Sequence, residues 1–182
     1  MLRLPFFDAL ADAKTVFVAG AGGGFDIYSG LPLYFALRDQ GKTVHLANLS
    51  FSTIYATNGK RIGEALVEVR HDTDGSLRYF PEWHLCQYLN GATGEDVPIY
   101  CFDRVGVQPI TIAYQNLVQY LGGVDAVVLV DGGTDSLMRG DEFGLGTPEE
   151  DMASLAGVDA LPDVPTKILA CIGFSVDTYQ QE

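Results

Sequence analysis

The sequence predicts an α/β fold of three layers, with helices on both sides of a mostly parallel central sheet of about five or more strands. Three observations carry this. Short β-branched runs alternate with helical patterns along the chain. The runs are short and rich in Val, Ile, Leu or aromatic residues, as strands covered on both faces tend to be. The first run, Thr15-Val-Phe-Val-Ala19, feeds directly into Gly20-Ala-Gly22-Gly-Gly-Phe-Asp26 and then a helical pattern. With 182 residues and 47% hydrophobic content the chain can bury one core, so one domain over 1–182 is expected.

Taken in order, Leu4–Ala11 reads as a lead-in helix and Thr15–Ala19 as the first strand. Ile27–Gln40 is a helix closed by Gly41, a residue suited to the position after a helix end. Thr43–Ala47 is the second strand. Between 52 and 96 a hairpin or insertion is expected. There Leu66–Arg70 and Leu77–Phe80 flank the turn Asp72-Thr-Asp-Gly75, and Pro81–Leu89 reads as a short helix. Val97–Phe102 is the third strand. Pro109–Leu121 is a helix with proline in its first turn and Gly122-Gly123 after its end. Ala126–Val130 is the fourth strand. Thr147-Pro-Glu-Glu150 supplies an N-cap, a proline and first-turn acids for a helix to about Ala156. Lys167–Ile172 is the fifth strand. Such alternation joins parallel strands by right-handed crossovers, which makes a three-layer Rossmann-like fold the expectation. A wound sheet would return through another helix after the fifth strand, so a truncated C-terminus is also expected.

The formal net charge is −13. That disfavours a nucleic-acid backbone as partner, because such binding needs a cationic surface. The bias is concentrated: residues 131–182 carry eleven acids against Arg139 and Lys167. A solvated acidic face explains this, and so does a set of carboxylates holding a divalent cation. Cys86, Cys101 and Cys171 form no CxxC pair and read as core thiols. No run approaches the ~20 apolar residues of a membrane span, and no leader pattern is present. The expectation is a soluble cytoplasmic protein, with a homo-oligomer admissible.

In a parallel wound sheet, ligands bind at the carboxyl ends of the strands. Those ends are Gly20 to Asp26, then Asn48, Ser50 and Ser52, then Asp103-Arg104, then Asp131-Gly-Gly-Thr-Asp135, and finally Ser175 and Asp177. All are polar, and carboxylates stand among them at Asp26, Asp103, Asp131, Asp135 and Asp177. Gly20, Gly22, Gly23 and Gly24 are candidates to hold phosphate on main-chain amides at a helix start. The dinucleotide pattern GxGxxG fails at its third glycine, where Phe25 stands. The acid wanted after strand two is replaced by Asn48 and Ser50. An ordinary NAD dehydrogenase is therefore disfavoured, and no GxxxxGK[ST] motif exists. Asp26 either caps the helix, worth about 0.5–2 kcal/mol, or serves the ligand. Beside a phosphate it needs an intervening divalent cation, or it accepts hydrogen bonds from ribose hydroxyls. Asp131 and Asp135 are candidates for catalysis and, with Asp26, for holding magnesium. Arg104 is either a structural partner of Asp103 or the cation that an anionic ligand requires. No histidine pair has metal spacing, and no G-x-S-x-G elbow supports serine hydrolysis.

On Gly22-Gly-Gly-Phe-Asp26, the Pro32 helix, and Asp131-Gly-Gly-Thr-Asp135 with Gly140-Asp-Glu142, the chain resembles an uncharacterised Rossmann-like family of archaea and bacteria, a domain of unknown function. The resemblance covers most of the chain, implies the fold, and brings no established reaction. Its members are longer. Gly20-Ala-Gly22 with Ser29-Gly-Leu-Pro32, and Gly133-Thr-Asp-Ser-Leu137, are more distantly similar to sirtuin-type NAD-binding domains. That likeness implies an NAD-like ligand; their catalytic histidine and polar loop have no counterpart here.

Three functions compete. The first is a metal-assisted hydrolase or transferase acting on a nucleotide or phosphorylated metabolite. The second is a non-catalytic nucleotide- or NAD-sensing module using the same pocket. The third is an assembly protein whose acidic segment docks a basic partner, with an association that salt weakens.

Overall fold

The structure, a computed structural model, describes residues 4–139, 141, 146 and 148–173. The described elements are α1 (Pro5–Ala9), β1 (Thr15–Gly20), α2 (Asp26–Ser29), α3 (Leu31–Asp39), β2 (Thr43–Ser50), β3 (Lys60–Gly63), β4 (Leu66–Val69), α4 (Pro81–Thr93), β5 (Ile99–Asp103), α5 (Val107–Tyr120), β6 (Ala126–Asp131), α6 (Pro148–Asp159) and β7 (Thr166–Cys171), with 3₁₀ turns at Ile54–Ala56 and Asp135–Leu137.

The strands form one seven-stranded sheet in the order β3-β4-β5-β2-β1-β6-β7. The run β5-β2-β1-β6-β7 is parallel; β3 and β4 add an antiparallel edge. Alternate residues of a strand face opposite sides. Val16 and Val18 of β1 accordingly pack with Ile27, Tyr34, Leu37, Leu85 and Leu89 of α2, α3 and α4. Phe17 and Ala19 pack on the other face with Ile110, Tyr114, Leu117, Ala153 and Val158 of α5 and α6. Helices thus cover both faces. Among the described residues no helix is long and apolar enough to cross a membrane.

Three expectations are corrected. The hairpin turns at residues 63–66, pairing Lys60 with Glu68 and Arg61 with Val67, and Leu77–Phe80 is not a strand. The helix expected over Ile27–Gln40 is interrupted at Gly30, because Pro32 lacks the N–H that would continue the ladder and its ring crowds the preceding turn. Helix α5 begins at Val107, two residues before Pro109; first-turn N–H groups have no intrahelical acceptor, so proline is tolerated there. Ser175 and Asp177, Gly140 and Glu142, and the expected N-cap Thr147 lie outside the described residues.

After β1 the chain moves to β2 and β5 on one side, then crosses to β6 and β7 on the other. The carboxyl ends of β1 and β6 therefore border a reversal of winding, where two loops part and leave a crevice.

Candidate functional site

That crevice is a cleft of about 440 Å³. Its floor is Gly23, Gly24, Gly132 and Gly133; Asp26, Ser29 and Asp135 face it from the sides, and Phe25, Phe51 and Tyr79 wall it. Close approach of the two loops requires glycine. A Cβ at Gly132 would sit 2.9 Å from Ser29 Oγ and 3.1 Å from Asp26 Oδ1.

Asp26 fastens the loops together. Its Oδ2 accepts the Gly22 N–H at 2.8 Å and its Oδ1 accepts the Gly132 N–H at 3.0 Å. It makes no capping bond to α2, which starts at Asp26 itself, so the capping role gives way to a bridge between β1 and β6. Burial raises its pKa to about 6, against the two amide hydrogen bonds, which pull it down.

The glycine loop does not present three free amides. Gly22 donates to Asp26, and Gly24 donates to the Leu49 carbonyl at 3.3 Å. Among the described residues Gly23 retains an N–H without an acceptor. Gly23 has φ +91°, and a Cβ there would lie 2.4 Å from Leu49 O. Gly20 stands behind the cleft, where its missing side chain makes room for Asn48: a Cβ would be 2.1 Å from Asn48 Oδ1. Asn48 is fully buried, and its Nδ2 donates to Gly24 O at 2.9 Å and to Glu82 Oε1 at 2.8 Å. Glu82, at the start of α4, is also fully buried, and burial raises its pKa. Among the described residues its Oε2 and Asn48 Oδ1 have no hydrogen-bond partner. This pair anchors the glycine loop to α4.

Asp131 is fully buried and shapes the second loop. Its Oδ1 accepts Gly133 N–H at 2.7 Å; its Oδ2 accepts Ser136 N–H at 3.0 Å and the Ser136 hydroxyl. Asp131, half-buried Asp135 and fully buried Asp151 each bring a carboxylate oxygen to within 4.8 Å of the others, a group that can hold a metal ion. Asp151 comes from the first turn of α6, whose positive end favours carboxylates. Asp26 stands outside that group. Cys171 Sγ lies 3.9 Å from Asp131 Oδ2, and burial raises its pKa, so it is a thiol rather than an activated nucleophile.

Arg104 is exposed and does not line the cleft. Its guanidinium carbon lies 5.9 Å from the centroid of Phe51, one ring removed from the cavity, and its backbone N–H, not its guanidinium, meets Asp103 Oδ1 at 2.9 Å. His45 is a desolvated sheet residue with a lowered pKa, and His71 pairs with Asp96 at 2.9 Å.

No protein-family model, curated protein or solved structure matches the chain. The geometry therefore carries the functional reading. The expected residues Gly23, Gly24, Asp26 and Asp135 line the cleft, with Asp131 directly behind it. Gly20 and Gly22 lie behind it, and the expected ligand cation Arg104 lies outside it. Glu82 and Asp151 were not legible as site residues, because an acid in the first turn of a helix is ordinary. The signal was their spacing: Glu82 shares a stripe with Leu85, Cys86 and Leu89, and Asp151 with Ser154 and Val158, all buried.

Proposed function

We propose that the chain binds a nucleotide or another phosphorylated metabolite in this cleft, jointly with a divalent cation held by Asp131, Asp135 and Asp151, and acts as a metal-assisted hydrolase or transferase in a Rossmann-like fold of the family it resembles. The observation that carries this is the convergence of three carboxylates at the carboxyl edge of the sheet, beside a glycine-floored cleft. Three carboxylates so close repel one another in a poorly solvated site, and a cation relieves that repulsion. Hard oxygen donors suit Mg²⁺, Mn²⁺ or Ca²⁺, and Mg²⁺ commonly shares its coordination between one or two carboxylates and substrate phosphates. The same cation resolves the conflict between an anionic ligand and an acidic cleft. Bound there, it would polarise a phosphoryl oxygen. The chain's own groups orient the ligand: the Gly23 N–H offers a phosphate donor, and Asp26 holds the two loops at fixed separation.

A second reading is a non-catalytic nucleotide- or NAD-sensing module. It is favoured by the lining, in which no His, Lys or Cys is found among the described residues. Turnover separates the two.

A thermal-shift panel of nucleotides, NAD and sugar phosphates, with and without Mg²⁺, tests both. Ligand at 100 times its dissociation constant adds about 2.7 kcal/mol. The expected result is stabilisation that requires Mg²⁺ and is lost in Asp135→Asn. No shift from any compound overturns both readings.

A further inference from the structure

The cleft displays aromatic rings that the core does not use. Phe25 is 63% exposed, Tyr79 40% and Phe51 37%, and all three face the same space. Phe17, Phe80, Phe102, Tyr34 and Tyr114, by contrast, are buried. Clustered exposed rings beside a cavity mark a recognition surface rather than chance exposure.

The rings are held from behind. Tyr79 meets Phe25 edge-on, with centroids 6.1 Å apart and planes at 87°. The Tyr79 carbonyl accepts the Ser52 hydroxyl at 2.8 Å, which ties the segment after β2 to the segment before α4. Phe25 also packs on Tyr28 at 5.5 Å, and the Tyr28 hydroxyl donates to the Pro81 carbonyl at 2.8 Å. Gly24 keeps the space between the walls open. A Cβ there would approach the Phe51 ring to 3.3 Å and the Tyr79 hydroxyl to 3.4 Å.

We propose that these rings form a base-recognition wall, so that the ligand is a nucleotide whose planar base stacks on Phe51, Tyr79 and Phe25 while its phosphates lie toward the carboxylate group. This rests on the metal-and-phosphate reading above and narrows its ligand to phosphates that carry a flat heteroaromatic ring. Every nucleobase offers a π face, and stacking on an aromatic side chain is favourable without base-specific hydrogen bonds. The cleft's 440 Å³ falls within the roughly 300–1,000 Å³ of small-molecule sites. A sugar phosphate alone would leave the rings in water. An organic cation also suits aromatic rings and carboxylates. Here the Arg104 guanidinium already lies 5.9 Å from the Phe51 centroid and opposes a second positive charge. A neutral base meets no such opposition.

Isothermal titration in Mg²⁺ with the four ribonucleoside monophosphates, ADP, ribose 5-phosphate and choline tests this. At least one nucleotide is expected to bind tenfold or more tightly than ribose 5-phosphate. Phe51→Ala should weaken that nucleotide on the order of tenfold, leave ribose 5-phosphate unchanged, and be rescued by Phe51→Trp. Ribose 5-phosphate binding as tightly as every nucleotide, or Phe51→Ala weakening both alike, overturns the base wall and leaves the metal-and-phosphate reading standing. Choline binding in preference to nucleotides, or no binding by any phosphate, overturns both.

Discussion

Asn48→Ala should destabilise the protein by roughly 2–5 kcal/mol, and the penalty should be larger at high pH than at low pH. The side chain makes two buried hydrogen bonds from one nitrogen, to Gly24 O at 2.9 Å and Glu82 Oε1 at 2.8 Å. A hydrogen bond is worth about 0.5–1.5 kcal/mol, up to about 3 kcal/mol where its acceptor is charged, and a buried carbonyl left without a donor costs about 1–3 kcal/mol. The pH dependence comes from Glu82. Burial raises its folded pKa above 4.5, while the Asn48 bond opposes that rise. For an acid with a raised folded pKa, its stabilising contribution is complete below the unfolded value and is lost as pH rises through the folded value. Removing Asn48 raises the folded pKa further, so the penalty grows as pH rises through the native folded value, which lies above 4.5. Glu82→Gln keeps an acceptor for Asn48 Nδ2 without a charge. In that background Asn48→Ala should cost about 1–2 kcal/mol less, a difference read by a double-mutant cycle. The assay is urea unfolding of the four proteins at low and at high pH. An Asn48→Ala penalty that shrinks as pH rises, or strict additivity in the cycle, would refute the reasoning.

Asp26 should make the fold lose stability as pH rises from 3.8 through about 6, by at most about 3 kcal/mol, and Asp26→Asn should flatten that slope in thermal melts. Gly23→Ala should cost more than Gly41→Ala by roughly 1–3 kcal/mol in urea unfolding. Both positions have positive φ, but a Cβ at Gly23 meets Leu49 O at 2.4 Å whereas Gly41 faces open space. In the native protein a thiol reagent should label Cys171 well before Cys86 and Cys101, which are buried. Equal labelling rates measured by mass spectrometry would contradict that placement.

The parallel strands were legible because each is a short apolar run with β-branched or aromatic residues, and the glycine and Asp131 loops because topology puts ligands at strand ends. The antiparallel edge was half legible. Leu66–Val69 was visible as a strand, but its partner Lys60–Gly63 carries Lys60 and Arg61 on an exposed edge and shows no apolar pattern. The role of Asp26 was hidden for a different reason: its two partners, Gly22 and Gly132, are backbone groups 110 residues apart in sequence, and composition carries no trace of them. Glu82 and Asp151 were hidden by their ordinary positions near helix starts, although Glu82 places an acid on an apolar stripe and Asp151 places one on a buried helix face. A charge on such a stripe is costly unless it is hydrogen-bonded or paired, which makes it a better flag of a site than the glycine run itself.

The most direct measurement is an electron-paramagnetic-resonance titration of Mn²⁺, a stand-in for Mg²⁺ whose free-ion signal disappears on binding. In the presence of ADP, one equivalent of Mn²⁺ should leave solution at lower concentration than without ADP, and Asp135→Asn should abolish that step. A diffuse, weak loss of signal, the same with ADP and in Asp135→Asn, would show a generally acidic surface and contradict a metal-and-phosphate site formed by Asp131, Asp135 and Asp151.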